Sequence, residues 1–334
     1  MGSVLDVFNG DAYTVKSLTD WVNKQPYKPA RIDQMGLFQT RGVTTTSVMV
    51  EEREGLLALL PTRRRGEAGV IGARPKRKVR SIAIPHIPYP DTIMADDVQN
   101  VRAFGSTDQT EAIMSVVNDR LLAMRGDHAA TLEYHRIGAL QGVILDADGA
   151  DVVCDLHAEF GTTPTSIDFD LGSSTTKVRN KCVEVIRAME TALGASPYTY
   201  IHAFCGATWF DKFIEHDAVK KAYELYQQGE LLRTDVRTGF KFGNIIFEEY
   251  RGSVSGVTFF PAAEARFFPV GVPGLFVTYF APANYVETVN TIGLPIYAKQ
   301  RMMDFDKGIQ METQSNPLNL CLRPTSLIRG TTSS

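Results

Sequence analysis

The sequence predicts an α+β fold with an extended limb, and three features of it lead there. Ile113, Val116, Val117, Leu121, Met124 and Leu132 keep one apolar stripe at helical spacing within residues 106–140, enough for a rod of roughly 50 Å. Such a rod is too long for a small globular core and implies an elongated, plate-like domain. From Phe240 onward the pattern turns to short strands. Between residues 43 and 84, two extended stretches flank a basic segment and have no apolar core of their own.

In chain order, residues 1–36 read as an arm with one short helix, Val15 to Lys24, capped by Thr14 or Ser17. Residues 43–60 open with alternation: Thr44, Thr46, Val48 and Val50 on one face, Thr45, Ser47, Met49 and Glu51 on the other. Gly55 interrupts that strand, and Leu56–Leu60 resumes it up to Pro61. Val79, Ile82 and Ile84 mark the return strand. An isolated hairpin is marginal in water, so this limb has to lie on the chain's own body or on another chain. The long helix follows, with Ser106 and Gln109 as a capping box and Gly126 as the place for a kink.

Val143–Leu145 and Val152–Cys154 flank Asp148-Gly149, a hairpin turn. Val178, Cys182, Val185, Ile186, Met189 and Leu193 match the helical period within residues 175–193 and are expected to face the core; Gly194 stops the helix. Tyr198–Cys205 reads as a strand, and Trp209–Gln228 as one or two helices. Phe240–Phe242 and Ile245–Tyr250 pair across Gly243-Asn244, and Glu264–Phe268 and Leu275–Phe280 are further strands. The tail, Gly308–Pro324, reads as one long strand with Leu318, Leu320 and Leu322 on one face. Three leucines at an open edge invite aggregation. The tail strand is therefore expected to join the sheet of the 143–154 hairpin and cover the long helix, with residues after Arg329 dispensable.

Composition excludes several classes. The 334 residues, 44% hydrophobic and 22% charged, are ordinary globular composition with room for two or three domains. A net charge of -3 does not describe a protein that coats nucleic acid. The charge is unevenly placed, however. Residues 63–80 hold eight basic side chains against one acid, Glu67, so this segment carries +7 and leaves -10 for the rest. Cys154, Cys182, Cys205 and Cys321 form no CxxC pair, and reduced, buried thiols in a cytoplasmic protein are expected. No Asn-x-Ser/Thr sequon occurs, and Met1–Gly10 has neither the basic nor the apolar region of a signal peptide. Phe267–Val286 is uncharged, but Pro269, Pro273 and Pro282 would break a membrane helix there; buried strands and turns are expected instead.

Searching for chemistry yields no site. Gly172–Lys177 has the wrong glycine spacing for a P-loop, Gly252–Gly256 places Val where a nucleophile elbow needs Ser, and HExxH is absent. His202 and Cys205, three apart on a strand, point to opposite faces and read as core. Asp146, Asp148, Asp151, Asp155 and His157 lack the Gly and Glu positions of a calcium loop and read as an acidic turn. No catalytic, cofactor-binding or metal-binding residue is assigned. The basic limb, Arg63, Arg64, Arg65, Arg74, Lys76, Arg77, Lys78 and Arg80, remains as a candidate contact. An acidic surface of another protein, a phosphate backbone or solvent would each suit it, though residues 63–80 have no aromatic on which bases could stack.

The last third adds a resemblance. Phe260-Pro261-Ala262, the run Phe280–Thr291, Gly293–Lys299 and Lys307–Leu318 resemble the lambda-type major capsid protein family of tailed phages. Leu56–Pro61 with Arg65-Gly66 is similar to that family's extended loop, and the order of elements agrees over nearly the whole chain. The resemblance implies the tailed-phage major capsid fold of the Hong Kong 97 type. It maps an N-terminal arm to 1–35, an extended loop to 36–92, a peripheral domain with a long spine helix to 93–165 and 295–334, and an axial α/β domain to 166–294. The arm is too short for a cleaved scaffold segment. The function so implied is a shell protein of the virion, assembled in the host bacterial cytoplasm into hexameric and pentameric capsomers around double-stranded DNA held non-specifically. Scaffold, portal and decoration proteins would be its further partners, with no cofactor and no membrane. The rival is a cytoplasmic α/β enzyme or nucleic-acid-binding protein with an unrecognised site.

Overall fold

Residues 14–24, 30–53, 77–98, 109–222 and 239–332 are described by the computed structural model of the chain. They fall into two units, one of 1–48, 83–136 and 277–319, the other of 49–82, 137–276 and 320–334.

Unit one begins with α1 (Val15–Lys24), the arm helix in full. Thr14 caps it by accepting from the backbone N–H of Ser17 at 3.2 Å. A second, short helix, α2 (Arg31–Met35), follows. The return half of the limb runs on as β4 (Ile87–Met94), which leads into the one-turn helix α3 (Ala95–Val98). β15 (Tyr297–Met302), β16 (Gly308–Ser315) and β4 form an antiparallel sheet in that order, with Ile309 opposite Ile93 and Met302. The sequence's long helix is α4 (Gln109–Gln141), unbroken through Gly126; Ser106 of the expected capping box lies outside the described residues. Val117, Leu121 and Met124 of α4 and Leu18 and Val22 of α1 bury against Ile93, Ile296, Ala298, Ile309 and Met311. The outer edge of β15 is not left open: the Ala298 N–H donates to Thr19 Oγ1 at 3.2 Å, and Asn23 Nδ2 donates to the Ile296 carbonyl at 2.8 Å.

The tail departs from expectation. It is two strands, not one, and it breaks at Asn316. The Asn316 amide donates to the Pro282 carbonyl at 2.8 Å, and its own carbonyl accepts from Ala281 at 3.1 Å. Beyond the break, β17 (Pro317–Cys321) pairs with β14 (Phe276–Phe280), whose other side takes β1 (Gln39–Gly42) in parallel. The tail therefore does not join the hairpin's sheet, and Ile309 and Met311, not the leucines, cover α4. Leu318 and Leu320 are buried and Leu322 half-buried, but Asn319 and Cys321 are buried as well. Burial on both faces removes the alternation that the sequence reading relied on.

Unit two holds a six-stranded sheet. Its order is β7 (Thr165–Asp168), β18 (Ile328–Thr331), β13 (Ala265–Val270), β8 (Tyr200–Cys205), β10 (Ile245–Glu249), β9 (Phe240–Phe242). β18 was not foreseen. It lies inside the sheet, parallel to β7 and antiparallel to β13, so the chain after Arg329 is not spare. β9 and β10 turn at Gly243-Asn244, both with positive φ, as a two-residue hairpin requires. One face of the sheet is an aromatic core. Trp209 and Phe213 of α7 (Ala207–Glu215) stack with Phe247, the Phe213 pair at 4.3 Å between centroids, and Phe169 stacks on Phe267 at 5.4 Å. Helix α6 (Val178–Leu193) buries Val178, Cys182, Val185, Met189 and Leu193 and ends at Gly194 as expected. Ile186 is only half-buried, at the rim of the stripe rather than its centre. The hairpin β5 (Val143–Leu145) and β6 (Val152–Asp155) forms its own ladder, followed by α5 (Leu156–Phe160). Short β11 (Ser253–Val254) and β12 (Val257–Thr258) make a second small hairpin. Among the described residues no helix is long and apolar enough to cross a membrane, and the uncharged stretch from Phe267 is part of β13 and β14.

Candidate subunit-contact surfaces

The residues that might have carried chemistry are spent on structure. Asp148 accepts from the N–H groups of Ala150 and Asp151 at 2.9 and 3.0 Å, which lowers its carboxyl pKa. Asp155 caps α5 by accepting from His157 and Ala158. Among the described residues no group of three or more His, Cys, Asp or Glu could hold a metal. His202 faces Glu248 on the adjacent strand, Nε2 to Oε2 3.0 Å, with both side chains buried. Cys205 is buried, and desolvation drives its thiol far above the ordinary range, the opposite of what a nucleophile needs. Desolvation pushes Cys154, Cys182 and Cys321 up to about 12. All four thiols are free and buried, as the sequence led us to expect.

The limb is described at its base. β2 (Ser47–Arg53) pairs with β3 (Arg77–Ala83), and Val48, Val50 and Ile82 are buried while Met49 and Val79 are exposed. Arg80, one of the basic candidates, is engaged within its own chain: its guanidinium donates to the carbonyls of Phe160, at 3.0 Å, and Glu159. These are carbonyls at the C-terminal end of α5, where a cation is favoured. Arg77 and Lys78 lie on β3, and Arg63, Arg64, Arg65, Arg74 and Lys76 lie outside the described residues.

In unit one a buried polar network holds the backbone behind β14. Arg136 of α4 pairs with Asp33 of α2, approaches the Thr278 hydroxyl at 3.4 Å and lies over the Phe38 ring at 5.4 Å. Thr278 in turn donates to Asn319 Oδ1 at 2.7 Å, and one helical turn before Arg136, Glu133 accepts from the Ile32 N–H at 3.0 Å.

The segment after β14 is a surface that the sequence reading missed. Val286 is 88% exposed, Val289 64% and Ile292 67%, and Leu294 is exposed as well. Yet the backbone beneath them is fixed. Gly293 donates to the Val43 carbonyl at 2.9 Å and fits so closely that a Cβ there would sit 1.9 Å from the Phe280 carbonyl oxygen. The Thr288 hydroxyl donates to the Ala283 carbonyl at 2.6 Å, Thr291 to Thr288 at 2.7 Å, and Leu294 N–H to the Tyr297 phenol at 2.9 Å. Glu287, the only charge in residues 284–296, is bound by Lys299 through both carboxylate oxygens at 2.7 and 2.9 Å, which lowers its pKa. An outward aromatic, Phe305, is 90% exposed in the β15–β16 turn and has positive φ, with Lys307 Nζ 5.5 Å from its ring centroid.

The fold is shared with phage capsid structures. Aligned over 93% of this chain and 94% of its own, the capsid of Myoviridae phage XM1 has a TM-score of 0.52 at 8% identity; the cyanophage A-1(L) capsid has 0.52 at 10% identity over 92% and 94%. Similarity in sequence is closer. The major capsid protein of Pseudomonas phage KPP10 is 31% identical across 89% of this chain and 90% of its own, and that of Salmonella phage Felix O1 is 25% identical across 95% of each. Residues 14–332 match the phage major capsid protein E family, and the chain belongs to it. It is a structural protein of the virion and not an enzyme.

Proposed function

We propose that copies of this chain assemble, as hexameric and pentameric capsomers, into the icosahedral shell that encloses the double-stranded DNA of a tailed phage or prophage. Assembly takes place in the host bacterial cytoplasm. Scaffold, portal and decoration proteins are its further partners, and DNA meets the shell interior without sequence preference. The arm is 1–35, the extended loop 36–92, the peripheral domain 93–165 with 295–334, and the axial domain 166–294.

One observation supports the contact that matters most: residues 63–80 of the limb carry +7 against a remainder of -10. Arg63, Arg64, Arg65, Arg74, Lys76, Arg77 and Lys78 reach an acidic surface of a neighbouring copy, while Arg80 fixes the limb's base to its own chain. Each exposed ion pair is worth only about 0–1 kcal/mol. Repetition around a closed shell makes the sum count. The test is purification followed by size-exclusion chromatography and negative-stain microscopy, with charge reversal at Arg63, Arg64 and Arg65 together. The wild-type chain gives capsomers, shells or tubes, and the variant gives folded subunits that assemble poorly. A small discrete wild-type oligomer under every condition would refute the shell, and normal shells from the variant would refute the role of the limb.

A further inference from the structure

We infer that the segment Val286–Leu294 is a preformed docking loop for a second copy of this chain. The inference rests on the shell reading and names one of its contacts. Apolar side chains in water are ordinarily scattered singly. Here Val286, Val289, Ile292 and Leu294 stand exposed within nine residues, on a backbone tied down at Thr288, Thr291, Gly293 and Leu294. A rigid loop has little conformational entropy left to lose on binding, so burying its apolar side chains is not offset by ordering.

The chemistry points to a copy of the chain rather than to a charged ligand. Residues 284–296 carry one charge, Glu287, and Lys299 of the same chain already neutralises it. The loop therefore selects an apolar surface, not a nucleic acid or an acidic protein. Four exposed apolar side chains make a patch of no more than the scale of the largest on a typical monomer, about 300–600 Å². A stable one-to-one complex buries about 800 Å² per partner, so this loop is too small to hold a free partner alone. It is the right size for one of several contacts that each copy makes in a closed assembly, where weak contacts on one chain reinforce each other.

The purified chain alone is the material for the test. Val286→Asp with Val289→Asp replaces two exposed side chains, so circular dichroism and melting should match wild type while shell yield falls by about tenfold or more. Wild-type yield from the double variant would overturn the inference. A second measurement does not depend on that variant. The four native cysteines are buried, so Val286→Cys supplies the one accessible thiol. Maleimide should label it about tenfold more slowly in shells than in dispersed subunits. Equal rates in the two states would show that the loop faces solvent or a different protein in the virion, and would sink the proposal while leaving the shell intact. Failure of the wild-type chain to assemble at all would refute the shell reading itself, and the docking loop with it.

Discussion

Replacing Arg136 with Met tests whether the buried network in unit one is structural. The Arg136 side chain is 4% exposed and its partner Asp33 25%, so the near-zero worth of a surface ion pair does not apply. Methionine keeps most of the volume, which keeps the cavity cost small. What is lost is the charged hydrogen bond to Asp33, about 1.5–3 kcal/mol, and the stacking on Phe38, about 0.5–2 kcal/mol. Thr278 keeps Asn319 as its partner, and Asp33 is open enough to turn toward water. The expected loss is therefore about 2–4 kcal/mol, less than the full cost of orphaning a sealed charge. For a chain of this size that lowers the melting temperature by roughly 3–6 °C. Thermal unfolding of dispersed subunits, followed by circular dichroism, reads it out. Asp33→Asn in the Arg136→Met background should then cost less than in wild type, because the pair is already broken. A melting temperature unchanged by Arg136→Met, or strictly additive losses in the double variant, would refute the reasoning.

Three further outcomes are expected. His128 is buried, with its Nε2 3.0 Å from the Thr313 hydroxyl, and desolvation lowers its pKa from 6.5 to about 4. The unfolded chain binds this proton more readily, so the stability from neutral His128 is complete above pH 6.5 and lost as pH falls toward 4. The loss is about 3 kcal/mol at most; urea titrations should show a weaker pH slope for His128→Gln, and equal slopes would rule it out. In α6, Met189→Ala should cost about 2–5 kcal/mol and half-buried Ile186→Ala clearly less, as judged by melting; equal losses would mean the stripe is misplaced. Truncation after Arg329 removes half of an interior strand, so it should yield insoluble or destabilised protein, and soluble protein that melts like wild type would contradict that role for β18.

What could be read in advance follows from where one face of an element meets water. The arm helix was legible because Thr14 caps it and Leu18 and Val22 mark one face. The turn at Asp148-Gly149 and the stop at Gly194 were legible from local backbone chemistry alone. In α4 the stripe holds through Met124, but every residue from Glu133 to Leu140 is buried, including His135 and Arg136, and a helix buried all round has no stripe to read. β18 escaped because Ile-Arg-Gly-Thr is too short to show a period, and its place between β7 and β13 depends on partners far away in sequence. The tail was misassigned because nothing local announces that the strand changes partners at Asn316. Of the proposed contact surfaces, the basic limb was plain from charge. The docking loop was not, because Val286–Leu294, with Glu287 as its one charge, looks like any apolar core segment until the fold shows that its backbone is anchored and its side chains face out.

The way α1 closes the edge of β15 has a bearing on a chain that must accumulate before it assembles. An open strand edge pairs with any other strand edge, in any register, and a crowd of identical subunits offers many. Here Thr19 and Asn23 occupy the groups that a foreign strand would seek, and they do so from a helix, which has no ladder of its own to extend. Where α1 lies against it, this edge of β15 is thereby closed to backbone pairing, and a neighbouring copy that approaches there meets side chains, whose fit is specific and reversible, instead of backbone groups that would take any partner.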